Sequence, residues 1–148
     1  MIYSLQSRGL PCLRVLVAED DPTNIILVEA VLSLFGTEAT IVENGKLAVE
    51  KVHESPVFDL VLMDLKMPVM NGFEALQGIR QRLEQPPLTR YLNVVALTAH
   101  EGEGIRQHCL DVGFDDFLSK PMRLEALDAL LTRVAQMKKL GSYSSVKG

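Results

Sequence analysis

Five short apolar runs, separated by segments of helical periodicity, constrain the fold more than any other feature of this sequence. Leu13 to Ala18, Ala39 to Val42, Asp59 to Met63, Asn93 to Leu97 and Asp116 to Leu118 are β-branched or leucine-rich, the composition of strands buried inside a sheet. Between them Ile25, Val28, Leu32 and Phe35, and later Phe73, Leu76, Ile79 and Leu83, recur at helical spacing. Leu124, Leu127, Leu131 and Val134 form the stripe of a closing helix. Asp21 is placed to cap the first helix with Pro22 in its first turn, where a missing N–H costs nothing. Asn44-Gly45 supplies a turn before the second helix. Strands joined by helices pair in parallel through right-handed crossovers, so the expected fold is α/β, a doubly wound five-stranded parallel sheet.

A chain of 148 residues, 47% of them apolar, is of a size to bury one core. The reading is a single domain over 12–138, with tails at 1–11 and 139–148 and an exposed proline-rich loop over 84–91. A net charge of -4 without a basic cluster argues against a nucleic-acid partner and for a protein one. Cys12 and Cys109 lack neighbours at zinc-site spacing and read as ordinary thiols of a reducing compartment. With neither a secretory leader nor a run of membrane-spanning length, the expectation is a cytoplasmic domain without membrane contact.

In open parallel sheets ligands sit beyond the carboxyl ends of the strands. Here the first strand ends in Glu19-Asp20-Asp21, the third in Asp64, the fourth in Thr98 and the fifth in Lys120-Pro121. Carboxylates crowded at one edge repel unless a cation joins them. Oxygen ligands with no His or Cys nearby favour Mg²⁺ over zinc, held directly by Asp20 and Asp64 and through water by Glu19. Asp21, immediately before Pro22, is assigned to the helix cap. His53 and His108 have no partners at ligand spacing and are assigned to solvated faces. Gly102 and Gly104 lack the rest of a phosphate-loop fingerprint and read as a flexible helix start.

From about Leu13 to Gln136 the sequence resembles the response-regulator receiver family. Val17-Ala18-Glu19-Asp20-Asp21-Pro22-Thr23-Asn24 is similar to the family's acidic motif, in the form frequent in receivers of hybrid sensor histidine kinases. Leu62-Met63-Asp64-Leu65-Lys66-Met67-Pro68-Val69-Met70-Asn71-Gly72 resembles its phosphoacceptor motif, and Leu97-Thr98-Ala99 and Leu118-Ser119-Lys120-Pro121 resemble the remaining two. The resemblance implies a flavodoxin-like (βα)5 arrangement with strand order 2-1-3-4-5. It implies Asp64 as phosphoacceptor, Glu19 and Asp20 as the acidic pair, and Lys66 as a metal ligand through its main-chain carbonyl. It implies Thr98 as switch hydroxyl, Lys120 as the lysine that pairs with a phosphoryl oxygen, and Phe117 as aromatic switch. Phe117 fits a core aromatic equally well. Lys66 and His100 stand two residues beyond Asp64 and Thr98, where family members border the path of attacking water; His100 is equally an exposed loop histidine.

The implied function is a phosphorelay step, in which a sensor histidine kinase or histidine phosphotransfer protein donates to Asp64 or receives from it. A docking patch near Ile25 and Ile26 is expected. A magnesium-dependent phosphatase of the haloacid-dehalogenase type would use similar groups, but its second acid falls at Lys66, which has no carboxyl to protonate a leaving group. A flavin module would need a Ser/Thr/Gly-rich loop where Glu19-Asp20-Asp21 stands. A receiver-like interaction module that is never phosphorylated is the remaining alternative.

Overall fold

The computed structural model describes residues 3–54, 57–83, 92–99 and 103–141. Five strands, β1 (Arg14–Ala18), β2 (Glu38–Val42), β3 (Leu60–Asp64), β4 (Asn93–Thr98) and β5 (Asp116–Ser119), alternate with five helices, α1 (Pro22–Leu34), α2 (Gly45–Glu54), α3 (Gly72–Leu83), α4 (Glu103–Val112) and α5 (Leu124–Leu140). The strands form one parallel sheet in the order β2-β1-β3-β4-β5. The order reverses between β1 and β3, which is where a ligand crevice opens in such sheets.

Every residue of β3 and β4 is buried, because helices cover both faces of the sheet. Alternate side chains along β1 divide between two cores: Leu16 and Ala18 join Ala48, Val52, Leu76, Ile79 and Cys109 on the α2–α3–α4 side, while Val15 and Val17 join Val28, Leu32, Leu127, Leu131 and Val134 on the α1–α5 side. The helix starts follow their caps. The Asp21 carboxylate accepts the Asn24 N–H at 3.2 Å, and Asn44 Oδ1 accepts the Leu47 N–H at 2.8 Å. No helix among the described residues is long and apolar enough to cross a membrane.

The amino-terminal segment departs from expectation. Residues 3–11 were to be a frayed tail, yet they pack on the end of the α1–α5 layer. Leu5 is fully buried and its N–H donates to Phe35 O at 3.1 Å. The Tyr3 ring meets Phe35 edge-on at 5.3 Å, and Arg8 in the 3-10 turn Gln6–Arg8 donates to Asp128 at 3.0 Å and to Thr132 at 3.2 Å. Short segments of this kind carry no periodicity, so their burial is decided by the surface they meet. At the other end α5 continues through Leu140 to Gly141, so the first residues assigned to the closing tail are helical. The loop over 84–91, His100 and Gly102 lie outside the described residues.

Candidate phosphoacceptor and metal site

The β1, β3, β4 and β5 ends bring Glu19, Asp20, Asp64, Thr98 and Lys120 together at the carboxyl edge of the sheet, as the sequence motifs anticipated. Backbone bonds set their heights: Glu19 N–H donates to Val42 O at 3.0 Å, Leu65 N–H to Leu97 O at 3.1 Å, and Lys120 N–H to Thr98 O at 2.9 Å. Lys120 precedes Pro121 through a cis peptide bond. Its Nζ lies 3.1 Å from Glu19 Oε1 and 3.1 Å from Asp64 Oδ2, so one ammonium joins two buried acids.

The second oxygens are also engaged. Glu19 Oε2 accepts the Asp21 N–H at 3.2 Å, and Asp64 Oδ1 accepts the Lys66 N–H at 3.2 Å. Glu19 is fully buried whereas Asp20 is exposed. The three acids each offer a carboxylate oxygen, and these oxygens lie within 4.8 Å of one another. The donor set is all oxygen, which fits a hard divalent cation. Asp20, exposed at the cleft, fits direct coordination best, while Glu19, fully buried behind Lys120, fits a role through water or through Lys120.

Burial and pairing set the electrostatics of Glu19 and Lys120 in different proportions. Loss of solvent pushes the Glu19 carboxyl above its usual range, with the Asp64 charge adding to the rise and the Asp21 amide and Lys120 opposing it. For Lys120 burial alone would lower the ammonium's pKa, but hydrogen bonds to Asp64 and Glu19 overcome it and the net shift is upward. The lysine is therefore firmly charged.

Asp20, Lys66, Met67, Asn71, Phe73, Thr98 and Ile105 border an open cleft of about 580 Å³, room for a hydrated ion and a phosphoryl group when a water takes about 30 Å³. Thr98 is buried at the cleft. The Lys66 side chain is exposed at the border of this cleft. Phe117 is half-buried against the α2–α3–α4 core, with the Arg106 guanidinium 6.0 Å from its ring centroid. That Arg106 contact gave no sequence signal, because it depends on how α4 packs beside β5 and belongs to no motif. His53 and His108 are exposed as expected, the latter tilted against Phe73 at 5.2 Å.

Comparison with known proteins agrees with this geometry. Residues 15–132 match the family model described as response regulator receiver domain. The sensor protein GacS of Pseudomonas syringae pv. syringae is 42% identical over 109 residues, covering 74% of this chain and 12% of GacS. Hybrid signal transduction histidine kinase B of Dictyostelium discoideum is 39% identical over 117 residues, covering 74% of this chain and 6% of the kinase. This chain thus spans a small part of the relatives it matches. Among solved structures, the receiver domain of sensor histidine kinase PA1611 from Pseudomonas aeruginosa PAO1, with a magnesium ion coordinated in its active site cleft, superposes with a TM-score of 0.73 at 33% identity. The match covers 85% of this chain and 99% of that one. The Saccharomyces cerevisiae receiver domain of Ssk1, solved with the histidine phosphotransfer signalling protein Ypd1, matches with a TM-score of 0.78 at 30% identity over 93% of this chain and 99% of that one. Fold, motif placement and sequence similarity together show that the chain belongs to the response regulator receiver domain family of two-component signalling.

Proposed function

We propose that Asp64 accepts a phosphoryl group from a phosphohistidine in a Mg²⁺-dependent step, and that the phosphorylated domain then switches its surface or passes the group to a histidine phosphotransfer protein. The observation that carries this reading is the shared grip of Lys120 on Glu19 and Asp64 beside a cleft lined by Asp20 and Thr98. Asp20, Asp64 and the Lys66 main-chain carbonyl are the proposed ligands, with Glu19 acting through water. When bound, Mg²⁺ offsets the crowded negative charge and draws phosphoryl oxygens toward the carboxylates.

The protein's own groups do the rest. An Asp64 carboxylate oxygen attacks phosphorus as the P–N bond to the donor imidazole breaks, and the imidazole nitrogen leaves with the bonding pair and takes up a proton. Lys120 moves its charge from Asp64 to one phosphoryl oxygen, and the Thr98 hydroxyl donates to another. Phe117 responds to that movement of Thr98 as the aromatic switch, a redistribution between two existing states that phosphorylation favours unequally. The donor or acceptor is a sensor histidine kinase or histidine phosphotransfer protein, and the same reading puts the domain in the cytoplasm. Ile26 and Leu27 on α1 are 67% and 50% exposed, and Leu27 with Val31, Pro121 and Met122 lines an apolar groove beside Lys120, a surface suited to a partner helix. Ile25, expected in this patch, is half-buried.

The test is peptide-mapped mass spectrometry after incubation with acetyl phosphate or a phosphorylated histidine phosphotransfer protein. The wild type gains a phosphoryl group on Asp64 with Mg²⁺ and not with EDTA, and Asp64→Asn gains none. Absence of label in the wild type under every donor overturns the proposal.

A further inference from the structure

Gly45 enters the sequence reading only as part of a turn and stands outside the site, yet it touches the loop that carries the Lys66 carbonyl. That loop, residues 65–71, is pinned at its two ends by its own neighbourhood. Leu65 N–H donates to Leu97 O at 3.1 Å and Gly72 N–H to Leu65 O at 3.1 Å. Asn71 and Glu74 exchange side-chain to backbone bonds at 3.0 Å and 2.9 Å, a capping box that starts α3.

Within the loop Lys66 N–H donates to Asp64 Oδ1 at 3.2 Å and Met70 N–H to Pro68 O at 2.8 Å, and a further pin comes from another helix. Gly45, buried at the first position of α2, donates its N–H to Met70 O at 3.1 Å. A Cβ at Gly45 would collide with that same Met70 carbonyl oxygen and stand 3.0 Å from Ala75 Cβ and 3.1 Å from Asn71 O. Two of these neighbours are backbone, which cannot swing aside as a long side chain can. Next to Met70 stands Val69 at φ +72°, with 76% of its surface exposed. A β-branched residue adopts the left-handed region only when its surroundings enforce it. Val69 is too exposed for its own packing to hold it there; the Met70 N–H bond to Pro68 O closes a three-residue turn across it, and Gly45 holds the Met70 carbonyl on its far side.

We infer that Gly45 is a positioning residue for the metal-binding loop: through its N–H and its missing Cβ, the start of α2 fixes Met70 and Val69 so that the Lys66 carbonyl faces Mg²⁺. The inference rests on the proposed role of that carbonyl. Its test compares Gly45→Ala with Gly78→Ala in the full chain. Gly78 is the control because a Cβ there meets only Val49, at 3.0 Å, in the packing of α3 on α2. Calorimetric titration is expected to show Mg²⁺ affinity about tenfold weaker in Gly45→Ala, the usual cost of losing a group that orients a ligand. Gly78→Ala is expected to lower Tm while keeping Mg²⁺ affinity. In metal-free protein, Gly45→Ala moves the amide resonances of residues 66–71 and Gly78→Ala does not. Unchanged affinity in Gly45→Ala, or equal loss in both variants, overturns the inference alone; a wild type that binds no Mg²⁺ overturns the site reading and this inference with it. Should Gly45→Ala fail to fold, hydrogen exchange in the wild type decides. Mg²⁺ is expected to slow exchange at the Gly45 amide and not at Gly78, and an unaltered Gly45 rate contradicts the pinning.

Discussion

The two ends of the one sheet handle charge in opposite ways. At the amino end the buried Asp59 and the half-buried Asp115 each have a cation and a backbone amide. Asp59 Oδ2 accepts the Arg14 N–H at 2.8 Å and Lys138 at 3.0 Å. Asp115 Oδ2 accepts the Val94 N–H at 2.7 Å and Arg80 at 2.7 Å, and Arg80 goes on to Leu92 O at 2.6 Å and Gly113 O at 3.1 Å. At the carboxyl end Glu19, Asp20 and Asp64 offer carboxylate oxygens within 4.8 Å of one another, and Lys120 bonds Glu19 and Asp64 with one shared ammonium. The backbone differs likewise: the left-handed corners at the amino end, Gly36 and Gly113, are glycines, while the carboxyl end holds Val69 at φ 72°. One end is closed by matched pairs and the other is short of positive charge. That shortage disfavours the empty fold and favours whatever cation fills it, which is how a fold keeps a site open.

The largest effect that could break this comparison is at the closed end. Arg80→Ala leaves the half-buried Asp115 without its guanidinium and the buried Leu92 carbonyl without that donor, and we expect a loss of about 3 kcal/mol, or a Tm lower by roughly 6–10 °C. The low end of the range applies because burial already raises the Asp115 carboxyl against the pull of Arg80, so the orphaned acid can take up a proton. Thermal melts check this, and a Tm within a degree or so of wild type would show that the closed end does not depend on its pairing.

Charge removal at the open end should act in the other direction. Asp20→Asn relieves repulsion among the three acids, so metal-free Tm is expected to rise by about 2–4 °C. The wild type should gain about 2.7 kcal/mol at a hundredfold excess of Mg²⁺ over its Kd, and the variant should lose most of that gain. A fall in metal-free Tm on making Asp20→Asn would contradict the charge shortage.

The smallest effect is in pH. Because the Glu19 carboxyl is raised in the folded state, folding binds its proton more tightly. Its contribution to stability is present below the unfolded pKa, about 4.3, and is lost as pH rises through the folded one. Metal-free protein is therefore expected to gain a little stability on mild acidification through that window, with Asp115, also raised, contributing in the same sense. Mg²⁺ needs the carboxylate, so its stabilising increment shrinks over the same window. Melts at several pH values with and without Mg²⁺, on wild type and Glu19→Gln, separate the two acids. A Mg²⁺ increment equally pH-dependent in both proteins would remove Glu19 from the account.

Much of this was legible in the sequence, because it rests on local signals. The strands lie within a residue or two of the apolar runs, since the middle of a covered strand is apolar and its polar residues, Asn93, Asp64 and Thr98, stand at the strand ends. Glu19, Asp20, Asp64, Thr98 and Lys120 meet because strand ends of a parallel sheet share one edge, so that finding the strands places the site. What escaped has no local signal. Leu5 looks like any leucine in a polar tail until Phe35 and α5 offer it a surface. Arg80 and Asp115, or Lys138 and Asp59, are far apart in sequence and belong to no motif. Gly45 looks like turn chemistry until Met70 is seen against it.

The most direct test of the central claim, that the carboxyl end of this sheet is a charge-deficient cation site built around Asp64, is calorimetric titration of metal-free protein with Mg²⁺. The account predicts saturable binding of one ion by the wild type and its loss or severe weakening in Asp64→Asn. No saturable binding by the wild type, or equal affinity in both proteins, would contradict it.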